Sequence, residues 1–420
     1  MSKTHHVIVG GSIAGVSAAM AMRQSGFDGA VTVVDAEPLL PYEKPPLSKE
    51  ADPEQAVRLI LPEEHYQEHG IDLVIGLRVH RLDDERRRVV LAGGGELAAD
   101  RVLLTTGVSA RRLGTPGEEL DHVHTLRTAA DAQRIFADLH RGGPLVVVGG
   151  GFIGLEAAAV ARTMDIDVTI VEATELPLLG ALGPAAAGLM IRLHRNNGVR
   201  VISSLTVERY AGYGVVEEVV LTDGQRLPAA TVVVGVGVAP NDQLAAAAGA
   251  TVQGGIVVDE YGRTDHPWLW AAGDVASQVH PRTGVRERIE HWDVAMRHGA
   301  AVGASMVGRP TINDAAPYFW SEQYGKSLQM FGRVHRTDQV VLREGATPER
   351  FVAFWLREDR LAAVAGLDEP KAVRSAKAIL DTNSVVSPAV LTDPSTDLRA
   401  LARQLAHPAA VPARRQSVNT

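Results

Sequence analysis

The chain has 420 residues, of which 45% are hydrophobic and 22% charged, the balance of a soluble globular protein of about three domains at roughly 150 residues each. Its formal charge of −8 argues against nucleic acid as a main partner, and no stretch approaches the roughly 20 unbroken apolar residues of a membrane-spanning helix. It contains no cysteine, which excludes disulfide scaffolds, cysteine-ligated metals and thiol or dithiol catalysis.

The first strand-like run, Val7-Ile8-Val9, begins within a few residues of Met1. That leaves no room for a cleavable leader, and a cytoplasmic protein is expected. The run leads into the turn Gly10-Gly11-Ser12-Ile13-Ala14-Gly15, an alanine-rich helical stretch, and a second β-rich run, Val31-Thr32-Val33-Val34, that ends in Asp35. The same order returns later. Leu145-Val146-Val147-Val148 leads into Gly149-Gly150-Gly151-Phe152-Ile153-Gly154, a second alanine-rich stretch, and Val168-Thr169-Ile170-Val171 ending in Glu172.

This is the dinucleotide-binding strand–turn–helix pattern. The first glycine allows the tight turn, the second lets backbone approach a pyrophosphate, and the third lets helix pack on strand. The free N–H groups at the helix start face the anion, and the acid accepts from a ribose hydroxyl. The second unit is complete in Gly149, Gly151, Gly154 and Glu172. The first carries Ser12 in place of the second glycine. One such motif alone is weak evidence. Two, with acids 25 and 23 residues after the first glycine, imply two dinucleotides, or one dinucleotide and a close relative.

Further segments follow in order. They are Pro41-Tyr42-Glu43-Lys44-Pro45-Pro46-Leu47-Ser48-Lys49, Leu103-Leu104-Thr105-Thr106-Gly107 with Arg111, and Thr231-Val232-Val233-Val234-Gly235-Val236-Gly237-Val238-Ala239-Pro240-Asn241. Trp270-Ala271-Ala272-Gly273-Asp274-Val275-Ala276, Glu290-His291-Trp292 and Pro317-Tyr318-Phe319-Trp320-Ser321-Glu322-Gln323-Tyr324 complete the set. Read alone, Lys49, Lys44 and Arg111 are surface charges. Glu156 is a carboxylate favoured at a helix start, Asp274 a helix cap or a ligand of a ribityl hydroxyl, and Trp292 and Trp320 core aromatics. Arg86-Arg87-Arg88 reads as a solvated turn beside Asp83-Asp84-Glu85.

In this combination the segments resemble the FAD-dependent ferredoxin reductases that serve bacterial oxygenases, the putidaredoxin-reductase-like group, to about residue 400. The resemblance implies an α/β fold: two Rossmann-like dinucleotide-binding domains of glutathione-reductase type plus a C-terminal α+β domain. The FAD domain is expected at 1–112 and 243–325, the NAD domain at 113–242, and an interface domain at 326–420, with strand 351–356, a helix from about Pro370 to Leu380 and a disordered tail at 408–420.

It also implies site residues. Gly10, Ser12, Ile13, Ala14, Gly15, Asp35, Lys44, Pro45, Lys49, Val79, Thr106, Gly107, Arg111, Gly273, Asp274, Glu290, His291 and Trp292 are expected around FAD. Gly149, Gly151, Phe152, Ile153, Gly154, Glu156, Glu172, Gly235 and Gly237 are expected around NAD. Lys49 pairs with Glu156 near the flavin, and Trp292 and Trp320 stand at its edge, so Lys49, Glu156 and Trp320 form the catalytic set. Many relatives bind the FAD ribose with an acid where this chain has Ala36, so that work falls to Asp35 or Glu37. Ser109 and Ala110 also depart from the commoner residues before Arg111.

The implied function is NADH:ferredoxin oxidoreduction, with hydride passing to FAD and single electrons to a ferredoxin that feeds a cytochrome P-450 monooxygenase or a Rieske-type dioxygenase. A redox-sensing flavoprotein of the apoptosis-inducing-factor kind, or an NADH oxidase, is the alternative. Glu172 repels a 2′-phosphate and the next six residues carry no Arg or Lys, which favours NADH over NADPH. The 15 histidines form no helix-spaced cluster with carboxylates, so no metal is expected. From residue 326 on the net charge is +4, against −12 before it. An acidic ferredoxin is therefore expected to dock near Trp320 and the C-terminal domain, at Lys326, Arg333 and Arg336. A monomer or weak dimer is expected.

Overall fold

Each glycine turn follows the central strand of a five-stranded parallel sheet. In the computed structural model, which describes residues 4–347 and 349–407, β1 (His5–Val9), α1 (Ile13–Gln24) and β2 (Ala30–Val34) build the first unit. β3 (Leu145–Val148), α2 (Phe152–Thr163) and β4 (Val168–Glu172) build the second. The first sheet runs Leu269–Ala271, Arg101–Leu104, β1, β2, Ile71–Val74. The second runs Arg200–Ser203, β4, β3, Thr231–Val234, Val123–Thr125. Val7 and Ile8 are fully buried, as is Val147. Helices cover both faces of such a sheet, and its strands read as unbroken apolar runs.

Register places the acids. Val9 lies opposite Val34 and Val148 opposite Val171, so each strand ends level with its neighbour and the glycine turn emerges beside Asp35 or Glu172. In both sheets the chain leaves the central strand to opposite sides, the place where open α/β sheets bind ligands beyond their carboxyl ends.

Helix α3 (Trp292–Met306) packs against α1. Gly299 and Gly303 make the approach possible: a Cβ on either would strike the carbonyl oxygen of Ala14 or Ala18. Strand β5 (Tyr318–Gln323) follows. Arg86 and Arg87 lie in the expected turn, whereas Arg88 opens the strand Arg88–Leu91 and pairs with Asp83. Arg86 bonds Asp83 through its backbone and lies 3.2 Å from Glu96.

The chain divides into two compact units, Met1–Leu179 with Met190–Gly325, and Gly180–Leu189 with Lys326–Thr420. The second contains β6 (Lys326–Gly332), β7 (Gln339–Glu344), β8 (Phe351–Arg357) and β9 (Arg360–Leu367), antiparallel in the order β6, β9, β8, β7. Helix α4 (Pro370–Thr382) begins with a proline in its first turn, where no N–H is missed, and buries Val373, Ala376, Ile379 and Leu380. Helix α5 (Leu398–Ala406) is capped by the Asp397 carboxylate. Lys326 is not free, since Glu349 holds its ammonium at 2.9 Å and Asp368 lies 3.7 Å away. The tail 408–420 lies outside the described residues. Among those residues no helix is long and apolar enough to cross a membrane.

Candidate active site

The first glycine turn is shaped by what surrounds it. Gly10 has φ +116° and its Cα faces the Thr105 carbonyl, a place no L side chain fits. Gly15 leaves no room for a Cβ because the Gly10 carbonyl lies against it. Ser12 is different. It sits at the N-cap with φ −88°, much like Gly151 in the second turn at −76°. This position needs no left-handed backbone, which explains why serine serves there. Neither α1 nor α2 has an acid in its first turn or a side-chain cap, so the N–H groups at both starts are left for an anion.

Each acid braces its own turn. Asp35 accepts from Gly11 N at 2.7 Å and from Glu37 N at 2.9 Å. Glu172 accepts from Gly150 N at 2.6 Å and Thr174 N at 2.7 Å. Glu37 is engaged by Tyr42 and Lys44. Burial pushes the Asp35 carboxyl up and the Lys44 ammonium down, against the pull of Glu37 on Lys44.

Two cavities adjoin at these elements. Ser12, Lys44, Thr105, Gly107 and Arg127 line both. The first is also lined by Ile13, Ala14, Pro45, Lys49, Phe152, Ile153, Glu156, Asp274, Glu290, His291, Trp292 and Trp320. Gly10, Asp35, Val79 and Thr106 line the second. Most of the expected FAD set is thus gathered in one continuous cleft. Gly15 and Gly273 stand behind it. Arg111 lies outside both linings, its guanidinium donating to Val238 O at 3.1 Å. Of the expected NAD set, Phe152, Ile153 and Glu156 reach the cleft wall, and Gly149, Gly151, Gly154, Glu172, Gly235 and Gly237 do not.

At the wall of the first cavity, Lys49 Nζ lies 2.8 Å from Glu156 Oε2. Ser48 donates to the same oxygen and Ser321 Oγ lies 2.5 Å from Oε1. Asp274 is approached by Arg127 at 3.4 Å, and burial raises its carboxyl against the opposing charges of Arg127 and Arg288. Trp292 and Trp320 meet edge to face at 5.9 Å, Tyr318 stacks on Trp320, and Phe319 packs on Phe152. The Trp292 indole N–H is buried without a hydrogen-bond partner among the described residues. The free helix starts, the bare glycine backbone and this orphaned donor fit a bound flavin dinucleotide.

Arg127, Thr105, Ser48, Ser321 and Phe319 line or support the cleft without having been singled out in the sequence. Arg127 lies in none of the quoted segments. The others lie within quoted segments, but nothing in a linear pattern says which of their side chains turn inward. Elsewhere His122, His124 and Asp138 converge. His124 lies on the strand Val123–Thr125 and His122 in the turn just before it, a spacing a search for helix-spaced ligands passes over. Arg141 lies 3.1 Å from Asp138 and bonds His122, so the cluster is a closed polar network.

A family model described as pyridine nucleotide-disulphide oxidoreductase matches residues 4–299, and one described as reductase C-terminal matches residues 318–402. Rhodocoxin reductase of Rhodococcus erythropolis is 37% identical over 402 residues, 94% of each chain. The ferredoxin--NAD(+) reductase component of the p-cumate 2,3-dioxygenase system of Pseudomonas putida is 36% identical over 396 residues, 94% of this chain and 97% of its own. The reductase in the crystal structure of the covalent putidaredoxin reductase–putidaredoxin complex superposes with a TM-score of 0.90 at 32% identity, covering 96% of this chain and 98% of that one.

Proposed function

Because the chain belongs to the pyridine nucleotide-disulphide oxidoreductase family and carries a reductase C-terminal domain, we propose that it is an NADH:ferredoxin oxidoreductase of an oxygenase system. The observation that carries this reading is the buried Lys49–Glu156 pair, set in the wall of a cleft that the first glycine turn and the start of α2 share. FAD supplies a ring that takes up hydride as an electron pair and returns electrons singly, the conversion an iron–sulfur partner needs.

The chain's own residues hold and orient. The α1 start takes the FAD pyrophosphate, and Asp274 takes a ribityl hydroxyl. Asp35 and Glu37 share the adenosine end. The second turn takes NADH, with Glu172 toward its ribose. Lys49 keeps a positive charge at the flavin, fixed by Glu156. Phe319, Trp320 and Trp292 exclude water from the reacting edge. On this reading residues 1–112 and 243–325 bind FAD, 113–242 bind NADH, and 326–420 serve the protein partner.

The test is anaerobic reduction of the purified protein by NADH and NADPH, followed by cytochrome c reduction through two-iron, three-iron and four-iron ferredoxins. Non-covalent FAD, a preference for NADH and turnover with one ferredoxin class are expected. Fast flavin reduction with no ferredoxin accepting electrons would remove the assignment.

A further inference from the structure

We propose that His194 is a positioning residue for Glu156, acting through Gln323 and Ser321 along a one-way chain of hydrogen bonds that holds the Glu156 carboxylate in place beside the cleft. The inference rests on Glu156 belonging to the hydride-transfer site.

The chain is continuous. Ser321 Oγ lies 2.5 Å from Glu156 Oε1, Gln323 Nε2 3.0 Å from Ser321 Oγ, His194 Nε2 2.7 Å from Gln323 Oε1, and Tyr324 Oη 2.9 Å from His194 Nδ1. Ser321 and Gln323 alternate on β5, so both side chains take the same face. His194 comes from the last turn of the helix Leu179–Asn196. Glu156, Ser321, Gln323 and His194 are all 3% exposed or less, and none of their polar side-chain atoms lacks a partner.

The direction follows from proton counting. An ionised carboxylate only accepts. Ser321 has one proton, which goes to Glu156, so its oxygen must accept from the Gln323 amide nitrogen. Gln323 then presents its carbonyl to His194, which must carry its proton on Nε2. Nδ1 is left to accept from the Tyr324 hydroxyl. Burial lowers the His194 pKa to about 4, so the ring is neutral at pH 7 and this single tautomer satisfies both neighbours. Reversing the chain would require the serine to rotate, the amide to flip and the imidazole to change tautomer together. Coupled buried bonds resist such partial reversal.

Other charges face the same space. Lys49 meets Glu156 directly, and Lys44, Arg127, Asp274, Glu290 and His291 line the same cavity. At the far end Arg162 acts on Tyr324. The carboxylate sets the sense of the chain, and the His194 ring, donating at Nε2 and accepting at Nδ1, closes its far end.

The test uses the FAD-loaded enzyme and its His194→Phe, His194→Gln and Gln323→Leu variants. Phenylalanine removes both nitrogens, whereas glutamine at 194 can donate and accept in the original sense. The antisymmetric carboxylate stretch of Glu156, assigned by its absence in Glu156→Gln, is measured at pH 7 alongside the rate of flavin reduction by NADH. In His194→Phe and Gln323→Leu the band should shift and the rate should fall roughly tenfold with the KM for NADH unchanged. His194→Gln should restore both. If His194→Phe fails to fold, Gln323→Leu decides. A folded broken variant with the wild-type band and rate overturns the proposal, as does His194→Gln behaving like phenylalanine, or a band that shifts with no change in the rate. The expected band and rate in an enzyme that reduces no ferredoxin support the relay and remove the ferredoxin assignment instead.

Discussion

Lys49 and Glu156 are 107 positions apart in sequence and meet at 2.8 Å, 11% and 2% exposed. A buried pair loses more when one partner goes than an exposed one does, because the other charge is stranded. Glu156→Gln keeps the shape while removing the charge and turning one accepting oxygen into a donor, so flavin reduction in stopped flow should fall roughly tenfold or more with little change in fold. Lys49→Ala should slow the same step. Rates equal to wild type in both would make the pair structural. Glu172→Ala with an arginine placed nearby should narrow the preference for NADH over NADPH in kcat/KM, and a wild type that prefers NADPH would refute the ribose argument. Three buried imidazoles, His6, His194 and His298, are held near pH 4 by burial. The unfolded chain takes up their protons near 6.5 and the native state does not. Their contribution is therefore complete above about pH 6.5 and is lost as pH falls toward 4, on the order of 3 kcal/mol for each. Melting curves at pH 7 and 5 should show the loss, and His298→Gln should flatten it. The glycine turns and the Lys49–Glu156 pair were legible because spacing and family resemblance mark them. Arg127 and His194 were not, because their partners, Asp274 and Gln323, lie 147 and 129 positions away and no local pattern records such a meeting.

Elements show a different kind of legibility. The strand at 351–356 appears as Phe351–Arg357 and the helix from Pro370 runs to Thr382, each carried by an unbroken apolar run or a clear period. The packing of α1 on α3 could not be read in the same way. It depends on Gly299 and Gly303 meeting the backbone of Ala14 and Ala18, and two glycines in a helix signal only weak propensity by themselves. The contact brings Trp292 to the same cleft as the start of α1. Gly299→Ala should force the helices apart at a cost of about 1–3 kcal/mol. The expected result is a lower melting temperature with FAD released earlier on heating, followed by flavin fluorescence. Unchanged release would mean the helices adjust without disturbing the site.

At the scale of the molecule, charge is segregated, with the C-terminal portion basic and the rest acidic. The geometry narrows the docking expectation, since Lys326 is neutralised by Glu349. Arg333→Glu and Arg336→Glu should each weaken ferredoxin-dependent cytochrome c reduction and its dependence on salt, with ferricyanide reduction intact. A KM for ferredoxin that ignores ionic strength would dismiss a charged docking face.

The first sheet is completed by Leu269–Ala271, which pairs with Arg101–Leu104, whereas all five strands of the second fall between Val123 and Val234. During synthesis the second sheet is therefore whole while the first still waits for its last strand. At the usual pace of about 5–20 residues per second, the wait from Val234 to Leu269 is on the order of two to seven seconds. Because α3 and Trp320 also line the flavin cleft, the nascent chain has no finished pocket until more than three-quarters of it has left the ribosome. Loading with flavin is then a late event of biogenesis, and a truncated product ending before that point would be released without its colour.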